Sequence, residues 1–251
     1  MCSELLSIGP LTVHGYGLMI GLGVVFALSL AWHRADERGI PQNDVTKIAA
    51  LLVIFGFLGA KVLFILVEFR HFLSDPLSTL GSEGFVVYGG ILAGLAALWI
   101  YCRKTRTSLL RWLDLMLPPV AVGQGFGRLG CFMAGCCYGK PTTSPLGVVF
   151  PSSGFAPAGI PLWPVQLFSA GGDFLLAGLM LLLDRKKGYD GRLTVCYLLS
   201  YGVGRFLIEF LRDDARGSVG LLSTSQFISL FVVAGAAALW ATLNFRKEKK
   251  A

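Results

Sequence analysis

Seven stretches of about 20 residues, each dominated by apolar side chains, constrain this chain more than any other feature: Tyr16 to Trp32, Ile48 to Val67, Phe85 to Cys102, Trp112 to Cys137, Leu162 to Leu183, Leu193 to Leu211 and Leu221 to Phe245. A helix of that length crosses roughly 30 Å of hydrocarbon, and backbone amides in lipid must be satisfied within their own segment. Only 15% of the 251 residues are charged and 54% are hydrophobic, too few polar groups to clothe a water-soluble domain. The expected fold is therefore an all-α polytopic membrane protein with seven transmembrane helices in one domain covering residues 1–251. Disorder, collagen and coiled coil are excluded.

An odd number of spans places the termini on opposite sides. Fifteen basic residues fall on one side, in the groups Arg34, Arg38, Lys47; Arg103, Lys104, Arg106, Arg111; Arg185, Lys186, Lys187, Arg192; and Arg246, Lys247, Lys249, Lys250. Four fall on the other: Arg70, Lys140, Arg212 and Arg216. That asymmetry puts the C-terminus in the cytoplasm, the N-terminus outside, and a Pro/Ser/Gly-rich loop or arm at about 139–162 outside. The first apolar run has no basic segment before it and Arg34 and Arg38 after it, so a cleaved signal peptide is not expected. The net charge of +7 is read as facing lipid headgroups, not nucleic acid. Six Cys without a CxxC pair and three His give no expectation of a metal site or other cofactor.

The three remaining cations, Lys61, Arg128 and Arg205, lie inside apolar windows, where a charge costs at least about 2.5 kcal/mol unless it is paired or faces a polar cavity. Lys61 and Arg205 each lie seven residues from the outer end of their span, or roughly 10 Å, and Arg128 falls in an outer half as well. Cations gathered at one depth suit an anionic phospholipid headgroup. Tyr201, Arg205 and Glu209 share one helical stripe at spacings of four, with Glu209 placed to hold the guanidinium. Arg128 sits in the glycine run GQGFGRLGCFMAGCCYGKP, in which Gly125 to Gly130 reads GxGxxG. A dinucleotide site would need a strand before it, which a membrane span does not supply; the glycines instead permit close approach of a lipid or a helix, and Pro118 and Pro119 are expected to interrupt the start of the span. His14 and Tyr16 open the first span, Tyr88, Gly89 and Gly90 lie near the outer end of the third, and Asp173 is read as a packing residue.

These segments resemble the prolipoprotein diacylglyceryl transferase family. The resemblance is carried by HGYGLM (His14 to Met19), GAKVLF (Gly59 to Phe64), YGG (Tyr88 to Gly90), GRLGCF (Gly127 to Phe132), WPVQLF (Trp163 to Phe168) and YGVGRFLIEFLR (Tyr201 to Arg212). It implies transfer of a diacylglyceryl group from phosphatidylglycerol to the cysteine thiol of a lipobox-containing prolipoprotein, with glycerol phosphate released, in the bacterial cytoplasmic (inner) membrane. By motif, Arg128 and Arg205 would hold the phosphate, with Glu209 partnering Arg205. His14, Tyr16, Lys61, Gly89, Gly90, Gly139 and Tyr201 would line the substrate site, and Tyr88 would assist the chemistry. Several family positions differ: Tyr88 stands for a frequent His, Cys131 for an Asn, Cys136 and Ser169 for acidic residues. The residues alone leave open a related transferase with another acceptor, or a transporter that binds an anion without catalysis.

Overall fold

The computed structural model describes residues 4–8, 11–82, 84–151, 155–186, 188–213 and 217–248. Lys187, Arg216, Lys249 and Lys250, which enter the charge asymmetry, lie outside them. The chain begins with a hairpin of β1 (Glu4–Ile8) and β2 (Leu11–His14), followed by α1 (Gly15–Glu37), α2 (Gln42–Val67), two short helices α3 (Phe69–Ser74) and α4 (Pro76–Gly81), α5 (Val87–Thr105) and α6 (Leu109–Ala134). The pair β3 (Val148–Val149) and β4 (Pro161–Leu162) precedes α7 (Val165–Asp184) and α8 (Arg192–Ile208), which runs into a 3₁₀ turn at Glu209–Leu211. The hairpin β5 (Ser218–Val219) and β6 (Leu222–Ser223) then leads into α9 (Thr224–Glu248).

Each apolar window falls on one long helix: α1, α2, α5, α6, α7, α8 or α9. Five of these are long and apolar enough to cross a membrane: α1, α2, α7, α8 with its 3₁₀ turn, and α9. Their exteriors are apolar, with Phe57 63%, Leu175 76% and Phe231 65% exposed, as expected where the solvent is hydrocarbon. Helix α5, which ends in Arg103 and Lys104, and α6, which carries Arg111, Asp114 and Arg128, are not among the five. The expected break at Pro118 and Pro119 does not occur: α6 runs through both prolines from Leu109 to Ala134.

The described residues form two compact units, residues 1–30 with 113–251, and residues 31–112. In the second unit, α2 and α5 pack closely because glycines remove the side chains between them. A Cβ at Gly89 would collide with the Gly59 carbonyl and Leu63, and one at Gly90 with the Gly56 carbonyl.

In the first unit, α6 is fixed to its neighbours at two levels. Near its start, the buried Asp114 carboxylate accepts from the Gly191 and Thr194 backbone N–H groups, both at 2.7 Å, and from the Thr194 hydroxyl at 2.6 Å. It thereby caps α8 from another helix, satisfying donors that a helix N-terminus leaves open. Further along, Phe126 stacks on Phe26 of α1 and meets Phe174 of α7 edge-on. Gly125 makes room for the Phe174 ring and Gly130 for Tyr16 and Met19. The glycine run thus serves helix packing on two sides.

Residues 139–151 and 155–162 fold into a small layer of their own. Gly139 bridges antiparallel to Arg212, and Pro141 to Leu162. The Lys140 N–H donates to the Leu211 carbonyl at 2.8 Å, and the Trp163 N–H to the Lys140 carbonyl at 3.0 Å. Phe150, Ala156 and Leu162 are buried here against Phe132, Tyr138 and Val148. Isolated bridges at Gly139 and Pro141 therefore tie the chain just after α6 to the end of α8 and to the β4–α7 connection.

Candidate functional site

The first unit contains a cavity of about 400 Å³ between α6, α7 and α8, lined by Arg128, Phe168, Ser169, Gly172, Asp173, Leu175, Leu176, Leu179, Ser200, Tyr201, Gly204, Arg205 and Ile208. Its wall carries two cations, Arg128 and Arg205, and three leucines of α7, Leu175, Leu176 and Leu179. Gly172 and Gly204 have nothing within 4 Å of where a Cβ would be, so the slot between α7 and α8 is open at their level. A space with this division of polarity fits an amphiphile with an anionic head.

Arg205 is held from two directions. Its Nη1 lies 2.6 Å from Glu209 Oε2, one helical turn on, and its Nη2 donates to Ser225 Oγ of α9 at 2.8 Å. Arg212 approaches the same carboxylate oxygen, Nε to Oε2 at 3.8 Å, and is buried. The 3₁₀ turn Glu209–Leu211 winds the chain so that Arg212 points back at Glu209. Arg205 is within electrostatic reach of Arg128, Arg212 and Tyr201, and Arg128 of Arg212 and Tyr201. Tyr201 is stacked on Tyr197, with centroids 5.5 Å apart and planes 3° apart, and the Tyr197 hydroxyl donates to Gln124 Oε1 at 2.6 Å. Gln124 is four residues before Arg128 on α6, so this hydrogen bond ties the helix bearing one arginine to the helix bearing the other.

Arg128, Tyr201, Arg205 and Glu209 are brought together, with Tyr16 packed against Gly130 two residues from Arg128. His14 is the exposed last residue of β2, opposite Glu4. Gly139 is the junction of three backbone segments. Lys61, Tyr88, Gly89 and Gly90 belong to the second unit. There, the Lys61 ammonium donates to the Ser82 carbonyl at 2.7 Å and to Ser82 Oγ at 3.3 Å, and lies 5.1 Å from the ring centroids of both Phe64 and Phe85. Gly89 and Gly90 face α2, and Tyr88 is 39% exposed.

Sequence reasoning missed three members of the site. Arg212 counts there as a loop charge, Ser225 looks like any helix-start serine, and Asp173, assigned to packing, stands on the cavity wall. An intramembrane carboxylate one turn beyond Ser169 on the face of α7 is the signal that could have found Asp173.

The family model described as prolipoprotein diacylglyceryl transferase matches residues 3–242. A phosphatidylglycerol–prolipoprotein diacylglyceryl transferase of Clostridium tetani is 46% identical over 240 residues, covering 95% of this chain and 96% of its own length. A second, from Clostridium perfringens, is 43% identical over 242 residues, covering 96% and 94%. One from Dehalococcoides mccartyi is 31% identical over 248 residues, covering 98% and 94%.

Proposed function

The chain belongs to the prolipoprotein diacylglyceryl transferase family, and from that premise we propose that it moves a diacylglyceryl group from phosphatidylglycerol to the cysteine thiol of a lipobox-bearing prolipoprotein. In the reaction, the acceptor sulfur attacks the glycerol carbon that carries the phosphate. A C–S bond forms, the C–O bond to phosphate breaks, glycerol phosphate leaves with the electron pair, and the thiol proton passes to a base.

The observation that carries this reading is the presence of Arg128 and Arg205 on the wall of one cavity along which Leu175, Leu176 and Leu179 also lie. The phosphate is held between the two guanidinium groups, and the acyl chains lie along Leu175, Leu176 and Leu179 toward the opening between α7 and α8. As the C–O bond breaks, negative charge grows on the departing phosphate. Fixed donors aimed there stabilise the transition state without having to reorganise. Glu209 and Ser225 hold Arg205 in one rotamer, which is what preorganisation requires. The Asp173 carboxylate, on the same wall as Arg128, accepts the thiol proton; from the sequence, Tyr88 is expected to assist this step.

The reading extends to topology. All seven long helices span the bacterial inner membrane, with the N-terminus outside and the C-terminus cytoplasmic, on the strength of the charge asymmetry. The test of function is mass spectrometry of a lipobox peptide incubated with phosphatidylglycerol and the purified chain. A mass gain of one diacylglyceryl group is expected with the unaltered protein. Arg128→Ala and Arg205→Ala should each lower the rate on the order of 10²–10³-fold, the effect of one lost transition-state donor. Undiminished labelling by either variant refutes the assignment.

A further inference from the structure

Cys131, Cys136 and Cys137 stand beside the cavity wall with all three sulfurs within 4.8 Å of one another. Their spacing matches no familiar ligand motif; the way α6 ends brings them together. Gly135 adopts φ +70, its N–H donates to the Phe132 carbonyl at 3.2 Å, and the Cys136 N–H donates to the Cys131 carbonyl at 3.1 Å. These are the two bonds of a Schellman ending, which sets the side chain just past the helix against the one five residues earlier. That contact is usually apolar, and here it joins two thiols.

Cys137 follows at φ +59, a left-handed conformation that strains any residue with a Cβ. Gathering thiols merely to fill space needs no such strain, and strained residues of this kind collect at functional sites. The turn is held on both sides, by Gln166 Nε2 donating to the Cys136 carbonyl at 2.8 Å and by the clamped backbone of Gly139.

We propose that Cys131, Cys136 and Cys137 form a binding site for a soft divalent cation of the zinc type, held by three thiolate sulfurs with a fourth position left to water. Zn–S bonds of about 2.3 Å place tetrahedral ligand sulfurs about 3.8 Å apart, so each pair of sulfurs closes by at most about 1 Å. Sulfur ligands without oxygen or nitrogen partners favour zinc-like over calcium-like ions, and among the described residues the group contains neither His nor carboxylate. Binding releases the thiol protons to solvent. Three thiolates and one divalent ion leave a single negative charge, which faces Arg128 at Cys131 and Arg212 at Cys137. The bound ion pins the end of the helix that carries Arg128 to the backbone that bridges to Arg212 at Gly139.

The full-length chain, purified in detergent and kept reduced with a phosphine, should take up about one equivalent of Zn²⁺ in competition with a chromophoric chelator. Cys131→Ser, Cys136→Ser and Cys137→Ser should each weaken binding by more than the 10–100-fold typical of a lost outer partner, whereas Cys102→Ser and Cys196→Ser should leave it unchanged. On the unaltered protein, Co²⁺ should produce sulfur-to-metal charge-transfer absorption. Zn²⁺ uptake no greater than in the triple Ser variant, a Co²⁺ spectrum without that absorption, or a disulfide between two of the three cysteines in protein isolated without reductant would each overturn the proposal.

Discussion

Replacing Gly139 by Ala tests whether this glycine serves the backbone or the ligand. Its added Cβ would stand 2.6 Å from the Trp163 carbonyl oxygen, 2.7 Å from Trp163 Cβ and 2.8 Å from the Leu211 carbonyl oxygen. None of these atoms is the free end of a flexible side chain. Each gap must widen to at least about 3.4 Å, so two backbone segments have to retreat from the backbone at residues 139–141. Overpacking of this kind costs about 1–3 kcal/mol. The strain also falls on the hydrogen bonds that join Gly139 to Trp163 and Lys140 to Leu211. Leu211 immediately precedes Arg212, so the displacement reaches a cation of the site. The same substitution at Gly178, inside α7 with nothing within 4 Å, should instead be neutral or stabilise by up to about 1 kcal/mol, because glycine is the weaker helix former. Thermal unfolding in detergent and transfer to a lipobox peptide, measured on both variants, give the comparison. Gly139→Ala should unfold several degrees lower and turn over more slowly, and Gly178→Ala should do neither. A Gly139→Ala protein with unaltered unfolding temperature and reduced turnover would place the glycine at the ligand and refute the packing argument.

Three further outcomes are expected. Asp114→Ala leaves the Gly191 and Thr194 donors buried without an acceptor and should lower stability by about 1–3 kcal/mol, read as the unfolding midpoint; an unchanged midpoint would mean that α8 needs no cap from α6. Arg205→Lys keeps the charge but cannot hold Glu209, Ser225 and a phosphate at once, so turnover should fall well below that of the unaltered protein while folding is preserved; full turnover would make Arg205 a simple point charge. Asp173→Asn should slow transfer by about 10²–10⁴-fold if this carboxylate takes the thiol proton, with Tyr88→Phe close to the unaltered rate, and the reverse pattern moves that role to Tyr88.

The parts of this protein that were legible in its sequence are those for which a membrane permits few alternatives. Apolar windows had to become helices, and each did. Arg128 and Arg205 stood out because a cation in an apolar window needs a partner or a cavity, and both line a cavity. Glu209 followed from its spacing of four to Arg205. Where the sequence misled, the signal was real but its use ambiguous. A glycine announces close approach without saying what approaches: at Gly89 and Gly90 it is α2, at Gly125 the Phe174 ring, at Gly139 two strands of backbone. Pro118 and Pro119 signal a break, yet α6 carries both. Arg212 was hidden because the path of a 3₁₀ turn cannot be read from charge, and the cysteine cluster because a Schellman ending depends on Gly135, four residues after the first cysteine.

The composition of the site explains why it should bind an anion rather than satisfy itself. Arg128, Arg205 and Arg212 provide three guanidinium groups, against carboxylates at Glu209 and Asp173. Glu209 is already shared between Arg205 and Arg212, and Asp173 is within electrostatic range of Arg128. Arg128 and Arg205 present their guanidinium groups on the cavity wall, in surroundings where an uncompensated charge is costly. A self-contained ion-pair network would balance its charges internally, as buried pairs must to offset desolvation. Here two cations stand on the wall of a cavity that also runs along Leu175, Leu176 and Leu179, so on the proposed function a phospholipid phosphate meets the cations while its chains fill the remaining space. By the same argument the product side is weaker: glycerol phosphate satisfies the cations but has no acyl chains to occupy the leucine-lined part. Binding measured by competition should therefore rank phosphatidylglycerol well above glycerol phosphate, and equal affinity for the two would show that the cations act without the apolar wall.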